Sequence, residues 1–110
     1  MRVIVSPKAR ADLKAYATYL RWDNPALSDR FLQAARSAFR AIGEHPRAGR
    51  PRAFEGSTFT GMRSISLPGF RNHLVFYQVI DKRVRIVRVL HGAMDADAVF
   101  GQPRRSSRGP

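Results

Sequence analysis

An α+β domain in the order βααβββ, with a helical hairpin laid on one face of a mainly antiparallel sheet, is predicted by three features of this chain. Two Ser/Asn-Pro helix starts are each followed by an apolar stripe of helical period, at Ser6-Pro7 and Asn24-Pro25. Three strand-like runs follow, with turn residues between them. A short apolar run, Arg2 to Val5, precedes everything.

Serine as N-cap with proline at the first helical position starts a helix, and Ala9, Leu13, Tyr16, Ala17 and Leu20 then share one face from Pro7 to Trp22. Asn24-Pro25 repeats the device, and Leu27, Phe31, Ala34, Ala35, Ala38 and Ile42 mark the second helix, closed by Gly43 and Pro46. So short a connection makes the pair antiparallel. His45 to Gly61, rich in Pro, Gly and Arg, reads as an ordered loop. Strands are expected at Met62 to Leu67, Asn72 to Ile80 and Val84 to His91. Pro68-Gly69 suits a type II turn, and Asp81-Lys82-Arg83 a three-residue hairpin loop. Residues 1–100 are read as one domain and 101–110, which lacks apolar side chains, as a disordered basic tail.

Composition narrows the function classes. With 44% hydrophobic residues the chain can build a core, so general disorder is not expected. It has no cysteine, which excludes disulfides, thiolate catalysis and cysteine-based zinc sites and points to a reducing, cytoplasmic setting. No apolar run approaches the roughly 20 residues of a spanning helix, so no membrane role is expected. Twenty Lys and Arg against eight Asp and Glu give +12, with most of the excess after Glu44. Such a surface suits an acidic protein partner or a polyanion. No helix-turn-helix or zinc-finger pattern is present and the aromatics lie within apolar runs, so direct nucleic-acid binding is not expected.

Functional residues are sought first in Val84 to Asp95, where Arg85 and Arg88 sit on a core strand that ends at His91-Gly92. Charged side chains there need a partner. Strand alternation places Arg88 with Ile86 and Leu90, and His91 on the other face with Val87 and Val89. His91 is expected to be a strand-terminal histidine hydrogen-bonded to backbone. Arg63 either pairs with Asp95 or another carboxylate, or binds a partner. Arg50 and Arg52 are read as loop contacts or solvated charge, and Tyr77 as core between Val75 and Val79. The candidate binding set is Arg50, Arg52, Arg63, Arg71, Arg85, Arg88 and His91; no catalytic residue, metal or cofactor is assigned.

Several local patterns stand in a familiar order: Asp12-Leu13, Asn24-Pro25, His45-Pro46 with Gly49-Arg50, Gly61-x-Arg63, Phe76-Tyr77, and Val89-Leu90-His91-Gly92 with Asp95. Over residues 1–100 the chain resembles the RelE/ParE superfamily of bacterial type II toxins, and its ParE branch in particular. The resemblance implies a toxin neutralised by a cognate, ParD-like antitoxin with an acidic segment. ParE-like members are associated with inhibition of DNA gyrase, RelE-like members with ribosome-dependent mRNA cleavage. In RelE-like enzymes an arginine and a tyrosine follow the last strand, and matching Gly92 puts Met94 and Phe100 there. Neither side chain donates a proton to a leaving group or binds phosphate. The lysines of those enzymes are unmatched too, since this loop carries Arg47, Arg50 and Arg52, and arginine is a poor general base. Binding of a protein target is therefore expected, with mRNA cleavage as the alternative.

Overall fold

The computed structural model describes residues 1–54 and 60–101, and of Ala93 and Met94 the backbone only. Its elements are β1 (Arg2–Val5), α1 (Pro7–Asp23), α2 (Pro25–Glu44), β2 (Arg50–Arg52), β3 (Met62–Leu67), β4 (Phe70–Ile80), β5 (Arg83–His91) and α3 (Gly92–Phe100). The expected α+β architecture is present, with two additions. The 45–61 segment contributes β2, and α3 follows β5 where only an acidic corner was anticipated. The expectation of a disordered tail concerns residues outside the described ones.

Both helix starts work as the sequence predicts. The Ser6 hydroxyl accepts from the Ala9 amide at 3.1 Å, and the Asn24 side chain accepts from the Leu27 amide at 3.1 Å. Asn24 also ends α1 by donating its backbone N–H to the Leu20 carbonyl, so one residue separates the helices. They close tightly because small residues meet. The buried Ser28 hydroxyl donates to the Ala17 carbonyl at 2.7 Å.

The sheet runs β1-β5-β4-β3-β2, antiparallel except for the β1–β5 pair. Phe31, Ala35, Ala38 and Ile42 of α2 pack with Val75, Tyr77, Val84, Ile86 and Val89 in the larger core. Alternate strand residues, Met62, Phe76, Val87 and Leu90, join Phe54, Ala96 and Phe100 in a second apolar cluster. The sheet is thus sandwiched, with the helical hairpin on one side and α3 on the other. β4 starts two residues earlier and β5 one residue earlier than expected. Ile80 pairs with Arg83, leaving a two-residue loop, Asp81-Lys82, with φ of 51° and 62°. Positive φ at both loop residues suits a type I′ hairpin, whose twist matches the strands better than the three-residue loop anticipated.

A bulge corrects the parity reading of β5. Phe76 pairs with Arg88 but Tyr77 with Ile86, so Val87 is the extra residue. Ile86 and Val89 consequently face the hairpin, whereas Val87 and Leu90 face α3. Arg88 and Leu90 therefore do not share a face with Ile86.

Candidate functional site

The bulge matters because β1 stops short. It pairs only with Arg83 to Ile86, so beyond that point β5 presents an open edge on which backbone donors need partners. Helix α1 supplies them. Asp12 Oδ2 accepts from the Val89 amide at 3.0 Å, and Tyr16 Oη accepts from the His91 amide at 3.0 Å. Residues i and i+4 on a helix are separated by about 6 Å along its axis, close to the roughly 6.8 Å between strand residues i and i+2. One helix face therefore stands in for the missing strand. Ser6 completes the edge, its amide donating to the Ile86 carbonyl and its hydroxyl to that of the bulged Val87.

Arg88 joins the same assembly. Its Nε and Nη2 donate to the two Asp12 oxygens at 2.8 and 2.9 Å, a bidentate pair that is largely buried. The hydrogen bonds that Arg88 donates to Asp12 are the main reason its pKa lies above its ordinary value. Arg88 is thus a positioning residue tying α1 to β5.

The remaining candidates are spread over the molecule. Arg63 on β3 donates to the carbonyls of Gly49 at 2.7 Å and Arg47 at 3.2 Å. Those acceptors are backbone oxygens, so in place of the carboxylate that was one of its two readings, Arg63 clasps the segment after α2. Tyr77, fully buried, holds the same segment: its hydroxyl donates to the Pro46 carbonyl at 2.7 Å and accepts from the Gly49 amide at 2.8 Å. Arg47 and Arg63 also line a cleft of about 830 Å³, open to solvent, beside Glu44 and His45.

Arg50 and Arg52 lie on β2 rather than in a loop. Arg52 donates to the Ser64 hydroxyl at 3.0 Å and lies over the rings of Phe76 and Phe54, with its guanidinium carbon 5.5 and 5.8 Å from their centroids. Burial, and then the adjacent Arg50 charge, lower its pKa, but arginine remains charged at neutral pH. Arg50, Arg71 and Arg85 are exposed. The seven candidates therefore do not converge on one constellation.

His91 ends β5 as expected, and its backbone, rather than a backbone-bonded ring, makes the hydrogen bond to Tyr16. Its ring meets that of His73, directly opposite on β4, at 4.7 Å between centroids. His73 also touches Tyr16 and Phe31, both at 5.0 Å. Sequence reasoning missed Asp12, Tyr16 and His73 as site-forming residues. The i, i+4 placement of Asp12 and Tyr16 was a usable signal, but their strand partners lie over seventy positions away.

Burial first, and the His91 charge second, hold the His73 pKa below its ordinary value. The unfolded chain takes up that proton near pH ~6.5, before the folded chain does, so this histidine's contribution is present above that pH and lost as pH falls through the folded value. Urea unfolding between neutral pH and mildly acidic pH is expected to show falling stability, with a shallower slope for His73→Gln. Equal slopes would exclude His73 as the source.

Among the described residues, no group of three or more His, Cys, Asp or Glu is placed to hold a metal ion, and no helix is long and apolar enough to cross a membrane. The Met94 side chain lies outside the described set. Phe100 is buried in the second apolar cluster, 5.0 Å from both Phe54 and Phe76.

Comparison with known proteins adds identity to this geometry. A family described as "ParE toxin of type II toxin-antitoxin system, parDE" matches residues 3–96. Toxin ParE1 of Caulobacter vibrioides is 34% identical over 99 residues, covering 88% of this chain and 95% of that protein. A chromosomal ParDE system from P. aeruginosa superposes with a TM-score of 0.68 at 20% identity, over 84% of this chain and 96% of the other. The YoeB-YefM complex from Staphylococcus aureus superposes at 0.50 with 18% identity, over 83% and 95%. At such identities the two structures share the fold alone, whereas the family match spans nearly the whole described chain. With its hairpin, sheet and closing helix in that arrangement, the chain belongs to the ParE family of toxins from type II toxin-antitoxin systems.

Proposed function

We propose that this ParE-type toxin acts in the cytoplasm by binding and inhibiting DNA gyrase, without chemistry of its own, and that a cognate ParD-like antitoxin neutralises it. The observation that carries the reading is Phe100. At the position where the RelE resemblance would require a proton-donating tyrosine, an apolar ring is packed into a core cluster. Of Arg63, Arg88 and His91, which a substitute nuclease site would recruit, Arg88 is held by Asp12 and Arg63 by backbone carbonyls.

Neutralisation is read from charge. Arg50, Arg71 and Arg85 are exposed on a chain of net charge +12, and an acidic antitoxin segment lying along them would be steered by the positive field. The solved relative from P. aeruginosa is described as a ParDE toxin-antitoxin system, in keeping with such a partner.

A supercoiling and DNA-cleavage assay with purified protein, gyrase, ATP and relaxed plasmid tests the target. Inhibited supercoiling with trapped cleaved DNA, relieved by the antitoxin, is expected. Unaffected gyrase together with ribosome-dependent cleavage of mRNA would transfer the protein to the RelE-like reading. Association with the antitoxin should slow as salt rises through the physiological range, and an unchanged rate would remove the electrostatic part.

A further inference from the structure

One cleft runs against the charge of the whole molecule. It measures about 520 Å³ and is lined by Ala15, Tyr16, Tyr19, Leu20, His73, His91 and Asp95. On a chain with 20 Lys and Arg, this lining includes no Lys or Arg and contains a carboxylate. Two tyrosines and two histidines supply the remaining polar edges.

The walls are fixed before any partner arrives. Tyr16 is wedged edge-on between Phe31 at 6.1 Å and His73 at 5.0 Å, and its hydroxyl is engaged by the His91 amide. His73 and His91 brace one another across the sheet. The rim is different. Tyr19, one turn beyond Tyr16 on α1, lines the cleft and is 73% exposed. Large aromatic rings left in water at the mouth of a preformed cleft are the usual anchors of a protein interface. Asp95, exposed in the first turn of α3, also lines the cleft. Arg21, two residues on from Tyr19, is turned to Asp29 on α2.

We propose that this cleft receives an arginine side chain presented by a partner polypeptide, with the guanidinium on the Asp95 carboxylate and its flat face against Tyr19. Charge complementarity favours a cation at this lining, which holds a carboxylate and no Lys or Arg. The shape selects arginine: a planar guanidinium can stack on a tyrosine ring and pair with a carboxylate at once, and its aliphatic stem suits Ala15 and Leu20. The surface is separate from the exposed arginines assigned to an acidic segment, and the inference holds whichever target the toxin has.

The test is an amide NMR titration of the full chain with N-acetyl-arginine N-methylamide, using the citrulline derivative as the uncharged control of equal shape. Saturable shifts at Tyr16, Tyr19, His91 and Asp95 are expected, with citrulline about fivefold weaker or more, as loss of a charge-assisted contact requires. Asp95→Asn should erase the preference for arginine. Tyr19→Ala, at an exposed position that the fold does not depend on, should weaken binding while leaving the amide spectrum dispersed. Equal responses to the two probes, a preference that survives Asp95→Asn, shifts confined to other regions, or no saturable response at the probe's solubility limit would each overturn the proposal.

Discussion

Replacing Asp12 with alanine is expected to destabilise the fold by about 3 kcal/mol, because the largely buried carboxylate serves three donors at once. Arg88 Nε, Arg88 Nη2 and the Val89 amide all lose their acceptor. Arg88→Ala should cost less, since Asp12 keeps the Val89 amide and gains access to water. Asp12→Asn should fall between, retaining an oxygen for the amide but not the charge. The double variant should be less destabilised than the sum of the single ones, because the pair acts as a unit. Urea unfolding of the four proteins measures this. A cost for Asp12→Ala no larger than that for Arg88→Ala would mean that the strand-edge amide does not depend on the helix. The same helix holds the β5 terminus, where the His91 amide donates to Tyr16.

Gly49→Ala is the second large effect, about 3 kcal/mol, by overpacking at a site that cannot yield. A β-carbon there would fall 2.4 Å from the Tyr77 hydroxyl oxygen and 2.7 and 2.8 Å from two ring carbons. Tyr77 is fully buried in the larger core, so the ring has nowhere to go. Tyr77→Phe alone should cost about 1–2 kcal/mol, leaving the buried Gly49 amide without its acceptor. Combining the two should recover only part of the loss, since the ring carbons still obstruct the methyl group. Thermal unfolding of the three variants decides the matter, and a Gly49→Ala protein as stable as the parent would show that the segment can peel away from Tyr77 at little cost. Such peeling would also free Arg63, whose acceptors are the carbonyls of Arg47 and Gly49. One buried tyrosine and one arginine therefore hold the segment that carries Arg47 and leads into Arg50.

Local structure and family membership were legible in the sequence. Ser6-Pro7 and Asn24-Pro25 start helices because their backbone and side-chain chemistry acts within one turn, and both caps form as read. The apolar periods of α2 and β4 find the core for the same reason: period is a property of the segment itself. Helix α3 escaped because its nine residues, GAMDADAVF, show their apolar pair Ala96 and Phe100 only against the second cluster. Only the tertiary structure decided which arginines are occupied. Arg63 donates to backbone carbonyls because the chain after α2 returns within its reach, and Arg88 meets Asp12 because β1, parallel to β5, stops four residues in. The bulge at Val87 overturned the parity of the strand, since a single inserted residue is invisible to a two-residue period. Contacts that join residues over seventy positions apart are set by strand crossover and packing, and no local pattern encodes them.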